Sequence, residues 1–105
     1  MPKYVFAYHG GGTPETEAEQ ASVMEAWNNW YGELGQAIVD GGAPVGNSKT
    51  IASGGTVSDG GGANPLTGYT LVEAADIDAA VTMAKGCPIL TDGGSVEVAE
   101  TFDMG

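Results

Sequence analysis

The chain has 105 residues, 42% of them apolar, and its 14 acidic side chains against three lysines and no arginine give a formal net charge of −11. This length predicts one domain that can bury a core of its own. Binding to nucleic acid or to an anionic membrane surface is excluded, because both require a cluster of basic side chains. A lone cysteine, Cys87, and the lack of any apolar run of about 20 residues predict a cytoplasmic protein without a membrane span.

The first part of the chain predicts a strand followed by a long helix. Aromatic and β-branched residues populate residues 3–9, with Tyr8 on one face of the strand and His9 on the other. Thr13 as N-cap and Pro14 at the first helical position predict a helix that runs to about Asp40. Its core-facing stripe, spaced three and four residues apart, is expected to comprise Met24, Trp27, Tyr31, Leu34 and Ile38.

The remaining elements complete a split βαβ pattern. Residues 43–58 predict a strand or hairpin, residues 66–73 a strand, residues 76–85 a helix capped by Asp76, and residues 95–102 a final strand. This order is typical of an α+β, ferredoxin-like subunit with an antiparallel sheet and both helices on one face. The uncovered face of such a sheet favours a homodimer in which two sheets stack.

Three segments of the chain resemble the YCII-related family, whose members are also called DGPF-domain proteins. They are Gly68-Tyr69-Thr70-Leu71-Val72-Glu73-Ala74-Ala75-Asp76-Ile77-Asp78-Ala79-Ala80, Ser58-Asp59-Gly60 and Gly94-Ser95-Val96-Glu97-Val98. Because the likeness extends over roughly residues 3–103, the chain 1–105 is expected to be a single YCII-like domain. Where the family commonly continues Asp59-Gly60 with Pro-Phe, this chain has Gly61-Gly62.

The resemblance implies a dimeric α+β barrel of ferredoxin-like subunits, with a pocket between sheet and helices that opens near the end of the first strand. Most members have no assigned activity. A few relatives act as dehydrochlorinases or are similar to muconolactone isomerases, and these use a histidine and an acid to transfer protons. The histidine that YCII-type members place on the first helix has no counterpart here, since Trp30 occupies that position. Of the family's site residues, only Asp59 has a counterpart in this chain.

His9 and Asp59 are the candidate catalytic residues. His9 is the only histidine, and it lies where the first strand ends in Gly10-Gly11-Gly12. An imidazole there can act as a general base next to a carbonyl group, with Asp59 orienting it if the fold brings the two within hydrogen-bond reach. The alternative is structural: a strand-end histidine bonded to a loop carbonyl.

Four further residues are candidates for a ligand pocket. Trp27 and Tyr31 share a helix face by spacing and are expected to form either core packing or an aromatic wall of the pocket. Trp30 is expected to point toward a neighbouring surface. Ser48 and Lys49 are the polar groups expected beside the pocket, with Lys49 either an anion partner or a solvent-facing lysine.

Several classes of mechanism have no motif in the chain. His9-Gly10-Gly11-Gly12 resembles an esterase oxyanion motif, but no Gly-x-Ser-x-Gly accompanies it. The dinucleotide and phosphate-loop fingerprints are lacking too. One histidine and one cysteine do not make a zinc set, and Cys87 is expected to be structural. We therefore expect neither a metal nor a cofactor.

Two functions remain open from the sequence. The first is a YCII-like enzyme that transfers a proton on a small organic acid or carbonyl compound, as an isomerase or lyase does. The second is a non-catalytic module that binds a small molecule or serves as a dimeric assembly unit. They differ in whether His9 and Asp59 converge on an open cavity.

Overall fold

The computed structural model describes residues 1–12 and 14–103. In these ranges the strands are β1 (Lys3–His9), β2 (Ile38–Pro44), β3 (Lys49–Ile51), β4 (Val57–Asp59), β5 (Leu66–Glu73) and β6 (Ser95–Glu100), the α-helices are α1 (Glu17–Leu34) and α2 (Ile77–Ala84), and short 3₁₀ helices cover Gly35–Ala37 and Pro88–Asp92. Neither described α-helix is both long and apolar enough to cross a membrane.

The main sheet confirms the predicted ferredoxin-like split βαβ fold. Its strand order is β2-β5-β1-β6, and every neighbouring pair is antiparallel. The strand-helix-strand unit β1-α1-β2 thus leaves a gap that β5 fills, which is the defining feature of the split motif. The predicted strand over residues 66–73 and the cap of α2 by Asp76 are also confirmed, since the Asp76 carboxylate accepts the Ala79 N–H.

The first helix is shorter than its sequence pattern predicts at both ends. The predicted cap, Thr13, lies outside the described residues; Thr16 caps α1 by accepting the Glu19 N–H. The helix does not reach Asp40, because Gly35 ends it with a positive φ of 55°. Glycine adopts that conformation without the steric cost of a Cβ. Ile38, predicted on the helix, instead begins β2.

The buried face of α1 differs correspondingly from the predicted stripe. Trp30, predicted to point elsewhere, is the buried residue of the helix at 3% exposure, whereas Met24 is 65% exposed. Trp27, Tyr31 and Leu34 pack around the core, as predicted. The core-facing stripe of α1 therefore comprises Trp27, Trp30, Tyr31 and Leu34, the last three lying three, four and seven residues after Trp27.

The core lies between the two helices and one face of the sheet. It contains Tyr4, Phe6, Tyr8, Trp30, Val72, Ala74, Ala80, Ala84, Cys87 and Ile89. Because β1 alternates, its core-facing side chains are buried, while Val5, Ala7 and His9 face the opposite side and are half-buried. Both helices contribute to this one core, so both lie on the same face of the sheet, as predicted.

A separate hairpin, β3-β4, follows the edge strand β2. Its strands pair Lys49 with Asp59 and Ile51 with Val57. The predicted strand or hairpin over residues 43–58 is thus a hairpin, and its first residues belong to β2. Ile51 and Val57 are exposed, so this hairpin packs little of its own surface against the main sheet.

Gly42 marks the closest approach of β2 to β5. Its φ is 70°, and a Cβ at this position would overlap the carbonyl of Tyr69. At Gly41, by contrast, an added Cβ meets no atom within 4 Å. The bulged pairing of β2 with β5 therefore depends on the absence of a side chain at Gly42.

We predict that Gly42→Ala lowers the free energy of unfolding by more than about 2 kcal/mol, because the methyl group must displace main chain. The matched variant Gly41→Ala is expected to change it by less than about 0.5 kcal/mol. Urea denaturation of the two variants beside the parent chain measures both. Equal destabilisation would contradict the role assigned to Gly42.

Candidate functional site

An apolar cavity of about 390 Å³ lies between α1 and the edge of the sheet formed by β2 and β5. It is lined by Tyr8, Val23, Met24, Trp27, Asn28, Tyr31, Ala43, Pro44, Thr67, Gly68, Tyr69 and Ile89. The helix, three strands and the second 3₁₀ helix each contribute to this lining. A volume in this range suits a small organic molecule.

Aromatic rings form the inner wall of the cavity. The Trp27 ring meets the Tyr8 ring edge-to-face, with centroids 5.1 Å apart, and meets the Tyr31 ring at 5.9 Å. Trp30 lies behind them and contacts the Trp27 and Tyr31 rings at 5.6 Å each. Edge-to-face and offset contacts of this kind hold rings in place, so the wall is preformed rather than collapsed on itself.

The phenol groups of this wall are engaged in hydrogen bonds. The Tyr8 hydroxyl donates to Thr70 Oγ1 at 2.7 Å, and Thr70 Oγ1 donates to the Gly41 carbonyl at 3.2 Å. The Tyr31 hydroxyl donates to the same carbonyl at 3.2 Å. Burial raises the pKa of Tyr8 well above its ordinary value, although the bond to Thr70 opposes the shift. Tyr8 therefore stays a neutral wall group rather than a proton acceptor.

His9 lies on the other face of the sheet and does not line this cavity. Its Nδ1 is 3.1 Å from the Asn64 carbonyl oxygen and 3.3 Å from that of Pro65, and its Nε2 is 3.3 Å from Glu97 Oε1. The side chain is 13% exposed. These contacts match the structural alternative, a strand-end histidine bonded to a loop carbonyl.

Asp59 pairs with Lys49 and not with His9. Lys49 Nζ is 2.6 Å from Asp59 Oδ1, and both side chains are largely exposed. The pairing follows from the hairpin register, which places the two residues directly opposite each other. The carboxylate in contact with His9 is that of Glu97. Ser95 pairs with His9 across β1 and β6, and Glu97, two residues further along β6, projects from the same face of the sheet as Ser95.

The four predicted pocket residues divide between two sites. Trp27 and Tyr31 line the apolar cavity, as expected of an aromatic wall. Ser48 and Lys49 instead line a separate polar groove beneath the hairpin, together with Asp59. Thr67 borders both. The sequence missed Tyr8, Val23 and Ile89 as lining residues; only the core-face alternation of β1 pointed to Tyr8, and no local pattern pointed to Ile89.

Metal chemistry finds no support in the described part of the chain. No group of three histidine, cysteine, aspartate or glutamate side chains lies close enough there to hold an ion. Cys87 is buried in the core, and burial raises the pKa of its thiol to about 11 although a backbone hydrogen bond from Ile89 opposes the shift. A thiol of this kind is a packing group and not a nucleophile.

No protein-family model, curated protein or solved structure matches this chain. The resemblance to the YCII-related family therefore stays a prediction, supported only by the three segments quoted above.

Thr67 Oγ1 is enclosed without a hydrogen-bond partner among the described residues. A buried hydroxyl without a partner destabilises the fold. We predict that Thr67→Val raises the free energy of unfolding by about 1 kcal/mol. Thr70→Val, the same exchange where the hydroxyl bonds Tyr8 and Gly41, is expected to lower it by about 1–3 kcal/mol. Chemical denaturation compares the two, and loss of stability in Thr67→Val would contradict the assignment.

The raised pKa of Cys87 leads us to expect a loss of stability in alkaline solution. The ordinary pKa of a thiol is 9.0 and that of folded Cys87 is about 11, so the unfolded chain releases its proton first as the pH rises. The contribution of Cys87 to the free energy of unfolding is therefore fully present below pH 9. It falls between pH 9 and 11, by on the order of 2 kcal/mol. Cys87→Ala should show a shallower fall in urea denaturation over this range. Parallel curves for the two proteins would refute the prediction.

Proposed function

We propose that this protein binds a small, largely apolar molecule in the aromatic cavity, as a non-catalytic binding module. The observation that carries the proposal is a preformed cavity of about 390 Å³ whose inner wall is formed by aromatic rings in contact with one another. The hydroxyls of Tyr8 and Tyr31 are engaged in hydrogen bonds, and the described lining includes no carboxylate, lysine or histidine, which supports binding over chemistry. The proposed setting is the cytoplasm, because the one cysteine fits a reducing compartment.

Proton transfer on a small carbonyl compound or organic acid is the second candidate function. It is supported by the 3.3 Å contact between His9 Nε2 and Glu97 Oε1, which couples a base to a carboxylate. In this proposal Glu97 takes the orienting role expected of Asp59. The proposal ranks second because His9 lies on the sheet face opposite the cavity.

A homodimer through the free sheet face accompanies both candidates. Support comes from Val5, Ala7 and Leu71, which share the face that neither helix covers. Stacking two such faces removes apolar surface from water. Light scattering on the purified protein is expected to give twice the 10.6 kDa mass of one chain, and a monomeric mass would refute the dimer.

We predict that phenylbutanol, with its phenyl group on the terminal carbon, binds one site per chain with a dissociation constant of about 0.1 mM, the range of a well-buried ligand of this size. Val23→Trp fills the cavity from an exposed lining position and should weaken binding at least about tenfold. Isothermal titration calorimetry measures both.

Two control variants test the location of the site. Ala21→Trp adds the same indole to an exposed position of α1 that does not line the cavity, so affinity should stay unchanged. His9→Gln should also leave it unchanged. Loss of binding in His9→Gln, with Val23→Trp unaffected, would overturn the cavity proposal and favour proton transfer at His9.

A further inference from the structure

We propose that the preferred ligand is a hydrophobic organic cation, with its apolar body in the aromatic cavity and its ammonium group in an adjoining acidic one. This inference rests on the proposed binding function and names the class of ligand. Such a ligand differs from the small organic acid or carbonyl compound that the YCII-like enzyme hypothesis predicts as a substrate.

The acidic cavity adjoins the aromatic one at Val23, which lines both. Its volume is about 400 Å³, and its lining includes the carboxylates of Glu19 and Asp92. Neither cavity is lined by a lysine or by the histidine, in the part of the chain that the structure describes. The two cavities thus meet at Val23, with an apolar lining on one side of this residue and two carboxylates on the other.

Helical spacing relates the two carboxylates to Val23 and Ile89, which line the aromatic cavity. Glu19 precedes Val23 by four residues on α1, and Asp92 follows Ile89 by three residues on the second 3₁₀ helix. Each acid thus lies one turn beyond a side chain that lines the aromatic cavity, a step of about 6 Å along an axis. A chain of three or four carbon atoms spans that distance.

Both carboxylates retain an oxygen for a ligand. Asp92 Oδ2 accepts the Gly12 N–H at 2.8 Å, and Glu19 Oε2 accepts the Glu15 N–H at 2.9 Å. The second oxygen of each has no hydrogen-bond partner among residues 1–12 and 14–103. These backbone bonds hold the carboxylates in place, and the free oxygens can accept from an ammonium group.

An anionic ligand would find no compensation in this site. The aromatic lining contains no cationic side chain, and the three lysines lie elsewhere: Lys3 begins β1, Lys49 pairs with Asp59, and Lys85 ends α2. A carboxylate that leaves water without a partner is strongly disfavoured. A cation gains on three counts, from the net charge of −11, from the two acids and from the rings of Trp27 and Tyr31.

Three ligands with one apolar body separate the charge preference from binding itself. They are phenylbutylamine, phenylbutanol and phenylbutyrate, each with the phenyl group on the terminal carbon. By calorimetry at low ionic strength we expect the amine to bind at least about tenfold more tightly than the alcohol, and the carboxylate to bind most weakly. Raising the salt to about 0.5 M should weaken the amine and leave the alcohol unchanged.

Matched charge variants locate the preference. Glu19→Gln with Asp92→Asn keeps the acceptors of the two backbone bonds but removes both charges, and should weaken the amine about fivefold or more while leaving the alcohol within about twofold. Glu73→Gln with Glu100→Gln removes the same net charge at the other end of the sheet, where these residues pair with Lys3 and Tyr4, and should have little effect.

The outcomes distinguish the two proposals. If none of the three ligands binds, or if Val23→Trp does not weaken them, the binding function itself fails. If the alcohol binds but the amine is no tighter, or the carboxylate binds best, the cavity stands and its cationic preference fails. If the remote pair of variants weakens the amine as much as the local pair, the preference belongs to the whole surface and the acidic cavity is refuted.

Discussion

The position of Trp30 is the constraint on which the rest of the structure depends. Its indole N–H donates to the Met83 carbonyl at 3.0 Å, which joins α1 to α2, and its ring stacks on Phe6 at 6.1 Å, which joins both to the sheet. An indole buried to this extent needs such a partner for its N–H, or burial would be costly. With Trp30 held there, Trp27 and Tyr31 are positioned at the cavity.

The alternation of β1 then separates the chemistry of the protein into two faces. Tyr8 enters the core and the cavity wall, while His9, its neighbour, bonds a loop and Glu97 on the opposite face. A single step along a strand reverses the direction of the side chain, so Tyr8 and His9 project from opposite faces of the sheet. The cavity therefore has the aromatic rings and the engaged hydroxyls of Tyr8 and Tyr31, and His9 lies outside its lining.

Charge distinguishes the acidic cavity from the polar groove beneath the hairpin. Lys49, one of three lysines, is paired with Asp59 across the exposed hairpin, where such pairs contribute little to stability. The acids of the cavity beside Val23 have no cation to balance them in its described lining. Unbalanced acids next to an aromatic wall are a reason for the protein to prefer positively charged apolar molecules.

Local sequence patterns determined the strands over residues 3–9 and 66–73, the cap at Asp76 and the order of elements, because each depends on neighbouring residues only. The tertiary structure decided the end of α1 at Gly35, the burial of Trp30 in place of Met24, and the partners of His9 and Asp59. His9 and Glu97 are 88 residues apart. Contacts at that separation are set by strand register and packing, which no local spacing encodes.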